Sequence, residues 1–96
     1  MERRLVVVTY DVSCPKRWRK VFRCMKGFGQ HLQLSVFCCD LTRQDILAMT
    51  ATLKQLIDSS EDSVLIADLG LSTDGPRRIS SLGKPKEPEP RKAKVF

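Results

Sequence analysis

Aromatic side chains are scarce in this chain: one tryptophan, one tyrosine and four phenylalanines make up 6% of its 96 residues. No strand carries the closely spaced aromatics of RNA-recognition sheets, so base stacking on a sheet face is not expected. There is a single histidine, His31, with no ligand partner near it in sequence, which reads as a structural residue or a nucleic-acid contact. The four cysteines (Cys14, Cys24, Cys38 and Cys39) form no C-x-x-C pair, a spacing that does not suit zinc. Cys38 and Cys39 are adjacent in a strand-like segment and so point to opposite faces. The longest apolar run is only a few residues, too short for a transmembrane helix, and the N-terminal basic residues precede too short an apolar stretch for a signal peptide. A cytoplasmic chain with reduced, packing cysteines is expected. Acidic residues are also in deficit: 17 basic against 11 acidic give a net charge of +6, which favours an anionic partner without specifying one.

What is present reads as one small domain with a thin core, for which oligomerisation is a common remedy. "LVVVTYDV" begins at residue 5 and is apolar without alternation, as in a central strand covered on more than one side. Pro15 opens a helix after Ser13 or Cys14, and Trp18, Val21, Phe22 and Met25 recur at helical spacing along one stripe. Gly27 and Gly29 end it. Residues 30 to 41 are β-rich and form either a bent strand or a tight hairpin. Thr42 with Asp45 three positions later marks a capping box, and Ile46, Met49, Leu53, Leu56 and Ile57 follow as the stripe of a second helix. A further strand spans 63–70, and a short edge strand is expected over 78–83.

The order β-α-β-β-α-β with an added C-terminal strand predicts an α+β, ferredoxin-like domain over residues 1–83, followed by a basic, Pro-rich tail over 84–96. Both helices would cover one sheet face. The other face would need a partner, most simply a second copy packed sheet to sheet.

Two stretches carry chemistry. From Lys16 to Lys26 the first helix holds Lys16, Arg17, Arg19, Lys20, Arg23 and Lys26 and no acid. At about 100° per residue all but Arg17 fall opposite the apolar stripe. A solvated helix face usually mixes charge signs to gain i,i+4 pairs; this one forgoes them, which points to phosphate or nucleic-acid binding. The second is Asp11, where the first strand leaves the sheet. A strand-end aspartate commonly ties down a turn, and one carboxylate is a poor Mg²⁺ site alone. A two-fold dimer could bring two Asp11 side chains to one ion.

Tyr10-Asp11-Val12, then Arg17, Arg19, Lys20 and Val21, then "GFGQHLQLSVFCCDL" and "DSVLIADLG" resemble the small second core subunit of the CRISPR adaptation machinery. Gln33, Ser35, Val36 and Phe37, the pattern Q-x-S-V-F, are the most diagnostic piece, and the resemblance covers nearly the whole chain. It implies a ferredoxin-like homodimer whose C-terminal strand or tail crosses to the partner. It implies association with the CRISPR integrase subunit, where the dimer is a platform for double-stranded DNA. It further implies a Mg²⁺-dependent (or Mn²⁺-dependent) endonuclease on single-stranded RNA or duplex DNA. By the same resemblance Asp11 is the metal ligand, Tyr10 and Ser35 belong to the catalytic surroundings, and Arg17, Arg19 and Phe37 join Lys16, Lys20 and Arg23 as nucleic-acid contacts. Trp18 stands where relatives often carry a basic residue. Ser35 has no partner base in sequence and reads as a hydrogen-bonding residue; Phe37 reads equally as core. A non-catalytic DNA scaffold, a toxin-like ribonuclease and a small-ligand regulatory domain are the competing functions, the last disfavoured by the one-sided basic helix.

Overall fold

A computed structural model describes residues 2–73 and 79–83. Its elements run β1 (Arg4–Asp11), α1 (Pro15–Lys26), β2 (Gly29–Gln33), β3 (Val36–Leu41), α2 (Arg43–Leu56) and β4 (Ser63–Leu71). The sheet order is β2-β3-β1-β4 with every neighbouring pair antiparallel, the ferredoxin-like arrangement expected from the sequence. β1 is central: Val8 faces Phe37 of β3 on one side and Ile66 of β4 on the other.

Alternation, invisible in the apolar run of β1, shows in burial from Val6 onward, although Leu5 is fully buried as well. Val6, Val8 and Tyr10 join Phe37, Cys39 and Leu41 beneath Val21 and Met25 of α1 and Met49 and Leu53 of α2. Both helices therefore cover one face, and Ile46, Leu56 and Ile57 complete the α2 stripe. On β4, Val64 and Ile66 pack towards this core, whereas Leu65, Leu69 and Leu71 are exposed along an edge strand.

Local chemistry sets the boundaries. Cys14 is the N-cap of α1 and Pro15 follows at its first turn, where a missing N–H costs nothing. Thr42 Oγ1 accepts from the Asp45 N–H at 3.1 Å while Asp45 Oδ2 accepts from the Thr42 N–H at 3.3 Å, closing the capping box. Residues 29–41 form the hairpin rather than a bent strand, turning at Leu34-Ser35 with a register shift between His31 and Gln33. Gly29 is required by close approach: a Cβ there would lie 2.5 Å from Cys39 Sγ and 2.7 Å from the Cys38 carbonyl oxygen.

The short fifth strand is corrected in part. Residues 79–83 belong to no strand of the chain; residue 78 and the tail over 84–96 lie outside the described residues.

Candidate functional site

The end of β1, the start of α1 and the β2–β3 turn meet at one corner of the sheet. The Tyr10 N–H donates to the Ser35 carbonyl at 3.2 Å, so the hairpin turn is tied to the strand end that carries Asp11. Tyr10 faces the core, and the alternation of a strand turns Asp11 to the opposite face. Asp11 is exposed and, among the described residues, enters no hydrogen bond or ion pair. Its carboxylate is thus available to a cation or a ligand.

The cations of α1 divide into two groups. Lys16, Arg19, Lys20, Arg23 and Lys26 are exposed, and the first four form no ion pair among the described residues. Lys26 Nζ lies 5.5 Å from the centroid of the Phe22 ring. Arg17 is different. Its Nε donates to Asp62 Oδ2 at 2.7 Å and its Nη2 to Asp62 Oδ1 at 3.2 Å and to Glu61 Oε1 at 3.0 Å. This is a two-pronged carboxylate pair, the geometry that suits a guanidinium.

Asp62 is a buried residue whose side chain has no exposed surface. Besides Arg17 it accepts from the Ser13 N–H at 3.3 Å and the Asp58 N–H at 2.9 Å. The Arg17 guanidinium first, and the Asp58 N–H next, hold its carboxyl down to about 2. One carboxylate therefore fastens the β1–α1 loop, the first turn of α1 and the α2–β4 turn together. Sequence reasoning did not single out Asp62 and missed this role. The available signal was indirect: a helix start rich in cations needs an acid from elsewhere if one of those cations is to be buried.

Three residues placed at the site by resemblance are positioned otherwise. Phe37 has 0% of its surface exposed, packed against Tyr10, Phe22 and His31, so it is core and cannot touch a nucleic acid. Tyr10 is 4% exposed; its hydroxyl is buried without a hydrogen-bond partner among the described residues, and burial pushes the phenol's pKa up. It packs the core and presents no group to solvent. Arg17 is committed to Asp62 and Glu61 rather than left open to phosphate. His31 lies on the helix side of β2, edge-on to Phe22 and within 3.3 Å of the Leu34 carbonyl oxygen, two strands from Asp11, and is structural. Ser35 is half-buried beside the end of β1, where its backbone carbonyl accepts from Tyr10. Among the described residues no three of the His, Cys, Asp and Glu side chains converge as a metal cluster, and the four cysteines are free thiols. No helix is long and apolar enough to cross a membrane.

The family model described as CRISPR associated protein Cas2 matches residues 4–75. A "CRISPR-associated endoribonuclease Cas2 1" of Rhodospirillum rubrum is 48% identical over 90 residues, covering 94% of this chain and 88% of that protein. A "CRISPR-associated endoribonuclease Cas2" of Geobacter sulfurreducens is 43% identical over 91 residues, covering 95% of this chain and 96% of its own. Among solved structures, Streptococcus pyogenes Cas2 at pH 6.5 superposes with a TM-score of 0.72 at 37% identity, covering 82% of this chain and 99% of that one.

Proposed function

The chain belongs to the Cas2 family of CRISPR-associated proteins, and from that premise we propose that it is a metal-dependent endonuclease that cuts phosphodiester bonds in single-stranded RNA or duplex DNA. The observation that carries this reading is Asp11: an exposed carboxylate at the end of the central strand that, among the described residues, has no partner, beside a helix whose outward Lys16, Arg19, Lys20 and Arg23 form no ion pair among those residues.

The donor set suits Mg²⁺ or Mn²⁺ as a hard-oxygen site of low ligand number. A carboxylate without a hydrogen-bond donor on it is free to bind, and such ions keep several waters and take one or two carboxylates together with phosphate. Asp11 would hold the ion, joined by the same residue of a second copy. When bound, it supplies charge neutralisation at the phosphate and a more acidic water. The chain's own contributions are positional. Lys16, Arg19, Lys20 and Arg23 hold the phosphate backbone, a contact that sets register without reading sequence. The hydrogen bond from Tyr10 to Ser35 and the Asp62 clamp fix the strand end relative to α1.

The homodimer is part of the same reading. Leu65 (69% exposed) and Leu69 are exposed apolar side chains of the edge strand β4, and Leu65, opposite Thr9, lies on the sheet face away from the helices. Apolar side chains exposed on a strand at the sheet edge are a liability unless a partner covers them. The CRISPR integrase subunit is the heterologous partner in this reading.

The purified protein and its Asp11→Ala variant, each given labelled single-stranded RNA and duplex DNA with Mg²⁺ or EDTA, test it by cleavage and binding together. Metal-dependent cutting that disappears in the variant while binding survives supports the nuclease. Equal cutting by both proteins overturns the role of Asp11. A second reading, a DNA-holding scaffold without catalysis, is favoured by the α1 cations, which need no Asp11 to bind phosphate. It predicts that charge reversal at Arg19 and Arg23 abolishes duplex binding while Asp11→Ala leaves it intact and neither protein cuts.

A further inference from the structure

Residues 58–62 close the turn between α2 and β4, with the Glu61 and Asp62 N–H groups donating to the Asp58 carbonyl at 2.9 and 2.8 Å. β4 begins at the next residue, Ser63, which lies opposite Asp11 in the sheet. Glu61 and Asp62 are therefore held at the sheet end that carries Asp11, against the first turn of α1. That helix carries many cations and no acid, and among the described residues these two carboxylates are the ones that form ion pairs with it. Both act on Arg17, and they differ in burial: the Asp62 side chain has no exposed surface, whereas that of Glu61 is 59% exposed.

A guanidinium offers two edges to an oxyanion: Nε with one terminal nitrogen, and the two terminal nitrogens together. In Arg17 the first edge is filled by Asp62, with Nε donating to Oδ2 at 2.7 Å and Nη2 to Oδ1 at 3.2 Å. The second N–H of Nη2 is left for the other edge, where Glu61 Oε1 accepts at 3.0 Å. Nη1, which completes that edge, makes no hydrogen bond among the described residues. The Asp62 pair is an anchor, because parting it would leave a buried carboxylate uncompensated. The Glu61 pair is a solvated contact, weak and screened by salt. Removing Glu61 frees a two-pronged oxyanion site on Arg17 without loosening the anchor, on a helix whose Lys16, Arg19 and Lys20 are exposed.

We propose that Glu61 masks a phosphate site on Arg17 and so limits how tightly the chain holds a nucleic-acid backbone at the strand end that carries Asp11. The masked edge suits the two non-bridging oxygens of a phosphodiester, the same two-oxygen geometry that Asp62 presents to the first edge. The proposal rests on the nucleic-acid reading of α1 and deepens it: the exposed cations provide the binding, and this acid sets its upper limit. Arg17 then has two separate functions, a permanent one on Asp62 and one that Glu61 withholds.

The full chain, Glu61→Ala and Glu2→Ala are titrated in EDTA, so that no strand is cut, with labelled duplex DNA and labelled single-stranded RNA over a range of salt. Glu2 is also exposed but stands before the opposite end of β1, near Arg4, so its variant removes the same charge away from Arg17. One added phosphate contact steepens the fall of log K with log salt by about 0.9 on a duplex and about 0.7 on a single strand. Glu61→Ala is expected to show that increment and, at about 0.15 M salt, to bind duplex about fivefold more tightly than the wild type. Glu2→Ala is expected to keep the wild-type slope. In an Arg17→Lys background, where an ammonium still faces Asp62 but has no second edge, Glu61→Ala should no longer steepen the slope. Should that background fail to fold by circular dichroism, the comparison with Glu2→Ala decides alone. An equal change in Glu2→Ala, or a change that persists in the Arg17→Lys background, overturns the mask. Binding by the wild type with an unchanged slope in Glu61→Ala overturns the mask alone, whereas absence of binding by every protein overturns the nucleic-acid reading with it.

Discussion

Replacing Tyr10 by phenylalanine removes one oxygen atom and should make the protein more stable. Tyrosine-to-phenylalanine changes in a core normally cost stability, because a buried hydroxyl has a partner to lose. Here the hydroxyl is buried with no hydrogen-bond partner among the described residues, and only 4% of the residue is exposed. An unsatisfied buried hydroxyl costs about 1–3 kcal/mol by mutational measures. Taking the low end, since neighbours relax, the variant gains about 1 kcal/mol, which in a domain of this size raises Tm by about 4–8 °C. The ring itself carries the packing against Phe37 (centroids 6.3 Å apart) and Trp18. Tyr10→Ala should therefore lose about 3–5 kcal/mol in the same assay. Thermal unfolding of the three proteins at one fixed concentration checks both signs, concentration being held because self-association shifts apparent stability. A Tm for Tyr10→Phe below that of the wild type would refute the reasoning, since it requires a partner for the hydroxyl that the described residues do not supply.

Asp62 makes stability depend on acid. Its carboxyl is held at about 2 by Arg17 and the Asp58 N–H, below the ordinary value near 4 for an unfolded chain. The stability it contributes is complete above the unfolded value and is lost as pH falls through about 2. Tm measured from pH 6 downward should fall less steeply for Asp62→Asn than for the wild type; parallel profiles would show the clamp is not ionic. At Gly29 an alanine has no room beside Cys39 Sγ and the Cys38 carbonyl, so Gly29→Ala should lose about 1–3 kcal/mol in chemical denaturation. Cys39→Ala in that background should restore only part of the loss, because the carbonyl contact remains. Thiol reactivity should be ordered. The backbone N–H groups of Arg17 and Lys16 draw the Cys14 thiol below its ordinary value, whereas burial pushes Cys39 up to about 11. Iodoacetamide at neutral pH, followed by mass spectrometry, should therefore label Cys14 first and Cys39 last.

The features legible in the sequence were those encoded locally. The capping box at Thr42 and Asp45, Pro15 at the start of α1 and the helical spacing of Trp18, Val21, Phe22 and Met25 each depend on residues a few positions apart, and the structure contains them where expected. The hairpin stayed ambiguous because its turn, Leu34-Ser35, has neither glycine nor asparagine and, among the described residues, no non-glycine residue takes a positive φ. The site was legible only in outline. The unbroken apolar run of β1 hides which side chains face the helices, so Tyr10 and Phe37 could be placed near chemistry when burial puts them in the core. The clamp was invisible for another reason: Arg17 and Asp62 are 45 positions apart, and no short-range pattern records their meeting.

The central place of β1 also governs how this chain must come together during synthesis. β1 precedes both of the strands it pairs with, and its pairing with β4 brings Arg4 to Asp68 across 64 positions. Until β4 has been made, Leu5 to Tyr10 remain an apolar, β-prone ribbon with an open edge, the kind of segment that recruits other chains. Closing so many distant pairs is slow compared with helix formation. A nascent chain should thus hold its basic helix early and acquire the ordered strand end only once β4 has been made. Ribosome-stalled chains ending before residue 63 would be the aggregation-prone species.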